Sequence, residues 1–282
     1  MTAKKQNKLK KLLANLRKPK PTVAVLRLSG VIGTVGMTKK GLSLDELNEE
    51  IEKAFELSGL KAVALQINSP GGSPVQSELI YKRIRMLSEE KKIPVYSFVE
   101  DVAASGGYWL ACTGDEIYAS ESSIVGSIGV ISSGFGFVEA IKKLGIERRV
   151  YTQGENKSIL DPFQKENPND IEILSNLQKD VHESFKNLVR TRREGKIKKT
   201  NEKRLFSGEF WNGVKGKELG LIDDIGDMHS VITEKYGKKI KFEKISKPQG
   251  WLKKKLTGAS LSVTDGITSS IAEKIIWNRF GH

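Results

Sequence analysis

A serine between small residues is a candidate nucleophile. Ser105 stands in "VEDVAASGGYWLACTG", residues 99–114, between two alanines and two glycines. An apolar run typical of a strand precedes it and a helical pattern follows, so its hydroxyl is expected at an exposed strand-to-helix turn. The N–H of Gly106 would lie beside that hydroxyl, where an oxyanion donor is often found. A serine that only caps the helix is the alternative.

A second loop, "SPGGS" at residues 69–73, offers backbone donors. Pro70 fixes one backbone angle, while Gly71 and Gly72 leave two successive N–H groups unencumbered. Two such groups can form a nest for an anion or for a carbonyl oxygen. Pro-Gly-Gly also serves ordinary tight turns, which is the alternative here.

A serine nucleophile needs a group that accepts its proton. The chain has three histidines, His182, His229 and His282, and none lies in a glycine-rich or strand-end context, so a Ser-His-Asp triad is not expected. A lysine can replace histidine where burial or a neighbouring cation keeps it neutral near pH 7. Lys157, in "VYTQGENKSILDPF", follows a glycine turn and precedes apolar residues, a context that fits a half-buried site. A solvated loop lysine is the alternative.

The pattern of apolar residues places both loops at strand ends. Runs typical of buried strands cover residues 23–28, 62–67 and 94–99, the last ending near Glu100. Helical patterns cover residues 43–55, 75–90 and about 170–194, and residues 205–227 are loop-rich. Alternating strands and helices predict an α/β fold with a mostly parallel sheet flanked by helices. Such sheets carry active sites beyond the carboxyl ends of their strands, where both glycine loops fall.

The charge is strongly and unevenly basic. The 282-residue chain has a formal net charge of +13, and residues 1–20 contain basic residues but no acidic one. Their leucines recur at helical spacing, which favours peripheral contact with an anionic membrane; a disordered or partner-bound tail is the alternative. No recognised motif for nucleic acid accompanies the charge, so no specific nucleic acid is expected as a partner.

The chain shows no targeting or spanning segment in its sequence. No apolar run is long enough to cross a bilayer, and the basic N-terminus lacks the apolar region of a signal peptide. Both absences predict a cytoplasmic location, with peripheral contact at the inner face of the membrane through the termini. The single cysteine, Cys112, excludes an intrachain disulfide and is expected to be a small core residue.

Five motifs in order, "INSPGGS", "DVAASGGYW", "VGSIGV", "GENKS" and "GLIDDIG", resemble the signal peptide peptidase A family of serine–lysine proteases. The resemblance runs from about Val23 to Gly226 and implies a ClpP/crotonase-like fold. Many members carry an aromatic residue just before the lysine, where this chain has Asn156. Members are also commonly membrane-anchored outside the cytoplasm, and that placement is not carried over because no anchor is seen.

The resemblance implies a role for each candidate residue. Ser105 would be the nucleophile, Lys157 the general base, and Ser127, in "VGSIGV", the residue that orients the lysine. The backbone of Gly71 or Gly72, together with the N–H of Gly106, would form the oxyanion hole. The resemblance also implies hydrolysis of apolar peptides, such as signal-peptide remnants or membrane-associated polypeptides. No metal or organic cofactor is expected, and a homo-oligomer is, with neighbouring subunits helping to build the site.

The expected organisation has three parts. Residues 1–20 form a basic amphipathic tail, residues 21–237 the protease domain, and residues 238–282 a basic linker with a C-terminal amphipathic helix. In that last part the aligned residues Val263, Ile267, Ile271 and Ile275 fit core packing, a subunit contact or a membrane surface.

Two other functions compete with proteolysis. An acyl-CoA enzyme of the related crotonase fold would also hold a carbonyl oxygen with backbone donors, but it would not need both Ser105 and Lys157. A non-catalytic scaffold for membrane or nucleic acid would use the charge of +13 and would bind in a salt-sensitive way.

Overall fold

The computed structural model describes residues 19–35, 39–246, 274 and 277–281. The strands among them are β1 (Thr22–Ser29), β2 (Thr34–Val35), β3 (Lys39–Lys40), β4 (Leu60–Ser69), β5 (Val95–Ala104), β6 (Glu116–Ala119), β7 (Ile124–Gly126), β8 (Phe210–Asn212), β9 (Asp224–Ile225) and β10 (Lys241–Lys244). The helices are α1 (Leu44–Glu56), α2 (Pro74–Lys91), α3 (Gly106–Ala111), α4 (Val138–Lys143), α5 (Pro168–Arg192), α6 (Glu202–Leu205), α7 (Gly213–Glu218) and α8 (Met228–Tyr236). The predicted N-terminal tail and the aligned stripe at 263–275 lie outside the described residues.

One eight-stranded sheet forms the core. Its strands run in the order β10-β1-β4-β5-β6-β9, with β7 beside β5 and β8 beside β7. All of its pairs are parallel except the antiparallel pair of β7 and β8. The predicted α/β class with a mostly parallel sheet flanked by helices is confirmed. The three predicted strands are β1, β4 and β5, whose nearly unbroken apolar runs suit a sheet covered on both faces.

Strand β5 is longer than the sequence predicts. It runs to Ala104 rather than ending near Glu100. The reason is a change of partner: β6 pairs with β5 only as far as Val99, and β7 then pairs with residues 102–104. Ser105 therefore follows directly on a hydrogen-bonded strand, which fixes the backbone that enters its turn.

The predicted helices are present, and local sequence explains where they begin. Helix α1 begins after Ser43, whose hydroxyl accepts a hydrogen bond from the N–H of Glu46 at 3.3 Å. Helix α2 begins with Pro74, which suits the first helical turn because its missing N–H is not needed there. Helix α5 agrees with the pattern at 170–194, but not all of its apolar residues are buried. Phe185 is buried, whereas Leu177 is exposed.

The chain divides into two compact units, one made of residues 1–128 and 188–282, and the other of residues 129–187. The first carries the sheet. In the second, α4 has no buried residue, so little covers the apolar side chains of that unit. Exposed apolar residues there include Ile131, Phe135, Leu144, Ile146, Tyr151 and Leu177.

Two regions contain more regular structure than their sequences predict. The predicted protease domain ends at residue 237, but β10 continues the sheet by pairing in parallel with β1. Its sequence, "KFEK", is short and charged, and so carries no apolar signal. Residues 205–227, expected to be loop-rich, contain β8, α7 and β9. These elements are only two to six residues long, too short for a periodic pattern.

The "GLIDD" stretch attaches two helices to the core. Arg193, one residue past α5, donates to the carbonyl of Gly220 at 2.8 Å and to the carboxylate of Asp223 at 2.6 Å. Tyr108, on α3, donates from its hydroxyl to the carbonyl of Leu221 at 2.7 Å. The stretch therefore holds both the end of α5 and the helix that directly follows Ser105.

Replacing Asp223 with alanine is expected to lower the free energy of unfolding by about 3–5 kcal/mol, because the buried Arg193 loses its counter-charge. Burial alone would raise the pKa of Asp223, but hydrogen bonds from Arg193 and Lys196 outweigh it and hold that pKa below its ordinary value. This stabilisation is therefore present at neutral pH and is lost as acid protonates the carboxylate. Urea unfolding at neutral and acidic pH measures both effects.

Asp224→Ala is the matched control. Asp224 pairs with Lys217 while more than half of its side chain stays exposed, so its loss is expected to cost no more than about 1 kcal/mol. Equal losses for the two variants would show that the buried pair contributes nothing special.

Candidate active site

Ser105 occupies a strained turn between β5 and α3. Its backbone has φ 52° and ψ −122°, a combination that non-glycine residues seldom adopt. Strain of this kind costs about 1–3 kcal/mol and is concentrated at functional sites. Although Ser105 stands at the N-cap position of α3, its hydroxyl makes no capping hydrogen bond. The capping alternative therefore does not explain this serine.

The backbone around Ser105 is held on both sides. Its N–H donates to the carbonyl of Gly126, the last residue of β7, at 2.8 Å. Its own carbonyl accepts hydrogen bonds from the N–H groups of Tyr108 and Trp109 at 2.9 and 3.0 Å. The strained conformation is thus fixed by the sheet before it and by the first turn of the helix after it.

Only small residues fit around this turn. A methyl group added at Gly107 would lie 2.3 Å from the carbonyl oxygen of Ser69, at the end of β4. One added at Gly71, whose φ is +103°, would lie 2.8 Å from Cβ of Ser105 and 2.9 Å from the nitrogen of Gly106. The two glycine loops predicted at strand ends therefore come into direct contact.

The backbone N–H groups at this contact differ in their hydrogen bonds within the described residues. The N–H of Gly71 donates to the hydroxyl of Ser69 at 3.2 Å. The N–H groups of Gly72 and Gly106, by contrast, donate to no acceptor within the described part of the chain. They lie near each other, since a methyl group at Gly106 would be 3.4 Å from the nitrogen of Gly72. The sequence did not distinguish Gly71 from Gly72 as the oxyanion donor. In the structure, Gly72 is the one whose N–H is available to a substrate.

Ser127 is attached to the same backbone. It is buried, has a positive φ of 53°, and donates its N–H to the carbonyl of Glu209 at 2.7 Å. The preceding residue, Gly126, is the one that accepts the N–H of Ser105. The ring of Trp211 on β8 packs against Gly126, where a methyl group would lie 2.8 Å from it. This unit therefore brings together Ser105, Ser127 and the glycines at 71, 72 and 106.

Lys157 belongs to the other unit, residues 129–187. It closes a turn by donating its N–H to the carbonyl of Gly154 at 3.2 Å, and its side chain is exposed. The half-buried environment expected from its sequence context is thus not found in the single chain, because its neighbours at 151–156 are exposed as well. Asn156 accepts a hydrogen bond from the side chain of Asn169 at 3.2 Å, so it is tied to the start of α5.

A cavity of about 570 Å³ lies within the same unit, beside the turn that carries Lys157. Residues on both sides of the lysine, Glu155 and Ser158, contribute to its wall, as do apolar side chains of Phe135, Phe137 and Leu160. It is large enough for several amino-acid side chains and combines apolar with polar walls.

Two other residues with nucleophilic or basic side chains, Cys112 and His229, pack within the fold and do not belong to this site. Cys112 is fully buried, as expected, and burial raises the pKa of its thiol to about 11, so it is protonated at neutral pH.

The ring of His229 lies 4.5 Å from that of Phe242 on β10, measured between ring centroids. Phe242 pairs with Val23 near the start of β1, whereas Ser105 follows the carboxyl end of its strand. His229 is therefore not a partner for Ser105.

Comparisons with known proteins identify the family that the chain matches. The family model "Peptidase family S49" matches residues 88–240. "Na(+)/H(+) antiporter NhaA" of Brucella abortus is 47% identical over 97% of this chain and 39% of its own length. "Putative signal peptide peptidase SppA" of Enterococcus faecium is 31% identical over 72% of this chain and 60% of its own length. The chain thus spans less than two thirds of either relative, and the antiporter name is not carried over because a peptidase model matches this chain directly.

A solved structure shows the same fold. It is a lysine-to-alanine mutant of the 1510-N membrane-bound stomatin-specific protease in complex with a substrate peptide. It is 17% identical, covers 90% of this chain and 98% of that one, and superposes with a TM-score of 0.50. Among the described residues of the present chain, no helix is both long and apolar enough to cross a membrane.

Proposed function

The chain belongs to the peptidase family S49, as its motifs predict, and on that premise we propose that it is a serine endopeptidase with a serine–lysine dyad. Ser105 is the nucleophile and Lys157 the general base. The observation that carries the proposal is the turn at Ser105, which combines a strained backbone with two adjacent N–H groups that donate to no acceptor among the described residues. An acyl-CoA enzyme would have a use for the donors but none for a strained serine.

The proposed reaction begins with neutral Lys157. It takes the proton of the Ser105 hydroxyl as the oxygen attacks the carbonyl carbon of a peptide bond. The carbonyl oxygen becomes an oxyanion, which the N–H groups of Gly72 and Gly106 stabilise. The lysine ammonium then gives its proton to the leaving amine, and the C–N bond breaks. Water then loses a proton to the same lysine and attacks the acyl ester. The C–O bond to Ser105 breaks, and the lysine returns that proton to the serine oxygen.

For this role the side chain of Lys157 must be shielded from water, because a lysine serves as a base only where burial or a neighbouring cation favours its neutral form. Its side chain is exposed in the single chain. We therefore propose that a bound peptide or a neighbouring subunit covers it. The exposed apolar residues of the unit 129–187 fit either partner, since both would bury them. Ser127, buried and fixed through its backbone, is proposed to orient the lysine.

The proposed substrates are apolar peptides. Phenylalanine and leucine side chains beside the Lys157 turn suit apolar substrate residues, while backbone donors near Ser105 suit any peptide carbonyl. A cytoplasmic location with peripheral membrane contact stays a prediction from the sequence.

Covalent labelling tests the proposal directly. A fluorophosphonate should phosphonylate Ser105, and mass spectrometry of the digested protein should place the label on the peptide that contains it. Labelling should be lost on acid denaturation before the reagent is added, because the strained turn and the donors are then gone. A wild-type chain that is folded, binds an acyl-CoA thioester and is not labelled would support the crotonase-like alternative instead.

Gly72→Ala is expected to lower the rate of peptide hydrolysis at least about tenfold. Gly72 has a φ of +142°, and a methyl group there would lie 2.1 Å from the carbonyl oxygen of Ile32, so the loop must move and carry its donor with it. Gly30→Ala is the matched control, since Gly30 also has a positive φ, +108°, but has open space around it. It is expected to cost about 1–2 kcal/mol of stability and little activity. Equal activity of the two variants would show that the N–H of Gly72 does not stabilise the oxyanion.

A further inference from the structure

The described C-terminal segment, residues 277–281, packs against the end of β5. Phe280 is only 6% exposed and forms a small cluster with Val102 and Ala104, which are fully buried. Ile124 and Trp277 pack against the same cluster. Phe280 therefore belongs to the hydrophobic core of the described structure.

The cluster lies where the Ser105 turn is built. Val102 and Ala104 are alternate residues of β5 and so face the same side of the sheet, and Ala104 directly precedes Ser105. Ile124 begins β7, the strand whose last carbonyl accepts the N–H of Ser105. Phe280 therefore supports both of the strands that meet at Ser105.

A third strand touches the same ring. Phe210 on β8 packs edge-on against Phe280, with ring centroids 5.2 Å apart and planes at 70°. Phe210 is also the residue that pairs with Gly126 across β7 and β8. Phe280 thus packs with residues of β5 and with Phe210 of β8, in a cluster that Ile124 of β7 also joins.

We propose that Phe280 is a positioning residue that holds the Ser105 turn in its reactive conformation, an inference that rests on the proposed function. The strained backbone of Ser105 persists only while its surroundings determine it. Ala104, with a single methyl group, has little surface of its own with which to hold the end of β5. Without the ring of Phe280, the ends of β5 and β7 can relax, and Ser105 moves away from the donors at Gly72 and Gly106.

The test compares two phenylalanine truncations in the full chain. Phe280→Ala is expected to slow phosphonylation of Ser105 about tenfold or more, and to lower kcat for peptide hydrolysis while KM changes little, because small displacements of a nucleophile cost much rate. Phe280→Leu, which keeps part of the apolar contact but not the ring, should react at a rate between those of Phe280→Ala and the wild type. Phe242→Ala removes the same ring from β10, far from the carboxyl ends of the strands, and should lower the unfolding midpoint without changing the rate of phosphonylation.

The rates of phosphonylation of these variants decide whether Phe280 positions Ser105. It is overturned if Phe280→Ala, folded at the assay temperature, is phosphonylated as fast as the wild type. If Phe280→Ala does not fold, Phe280→Leu decides: a slower reaction at an unfolding midpoint no lower than that of Phe242→Ala supports the inference, and a wild-type rate overturns it. A wild type that is itself not labelled at Ser105 contradicts the proposed function, and the positioning role falls with it.

Discussion

Replacing Ser105 with alanine is expected to lower kcat for hydrolysis of an apolar peptide by about 10⁴-fold or more. The hydroxyl is the only part of the residue that changes, and in the proposed reaction it forms the bond to the substrate. The strained turn and the donors at Gly72 and Gly106 should stay in place, so peptide binding should change little. Steady-state kinetics with a peptide of about ten residues separate the two parameters.

The same substitution should leave the fold stable. The hydroxyl of Ser105 makes no capping hydrogen bond, so its removal is expected to change the free energy of unfolding very little. Ser43→Ala provides the contrast, because that hydroxyl caps α1. It should cost about 1 kcal/mol of stability and leave activity intact. A Ser105→Ala variant that hydrolyses the peptide at the wild-type rate would exclude this serine as the nucleophile.

Replacing Lys157 with methionine is expected to lower kcat by about 10²–10⁴-fold, the usual contribution of general acid–base catalysis. Methionine keeps much of the length of the side chain but has no basic nitrogen. Lys157→Arg should be equally impaired, because a guanidinium does not lose its proton in proteins. Both variants should still bind peptide, since the donors for the carbonyl oxygen are elsewhere.

A control lysine separates a specific base from general charge. Lys179 lies on α5, within the same unit as Lys157, and is exposed. Lys179→Met should therefore keep full activity while changing the net charge by the same amount. Equal loss in the two variants would favour the scaffold function, in which basic charge acts without position, and binding would then depend steeply on salt.

The placement of Ser105 was predictable because its signals are local. An apolar strand, two alanines and two glycines indicated a crowded turn, and the structure has one there. The positive φ was not predictable, since it arises from the pairing of β5 with β7 and from the carbonyl of Gly126. The sequence also could not show which of Gly71 and Gly72 has an available N–H, because this depends on the hydroxyl of Ser69, which accepts the N–H of Gly71.

Features that depend on distant contacts were missed. The apolar residues beside Lys157 indicated a half-buried site, yet within its own unit the surrounding residues leave it exposed. The strand "KFEK" joins the sheet through backbone pairing with β1, which a charged sequence does not reveal. Phe280 packs against Val102 and Ala104, which are far from it in the sequence, and no periodic pattern connects the two segments.

The most direct test of the serine–lysine dyad is the pH dependence of Ser105 phosphonylation in the wild type and in Lys157→Met, from about pH 6 to about pH 10. The wild-type rate should rise with pH, because a general base accepts the proton of the nucleophile only in its unprotonated form. The Lys157→Met variant should react slowly and without that rise while its fold is unchanged. If both proteins react at the same rate and with the same pH dependence, Lys157 is not the base and the proposed dyad is wrong.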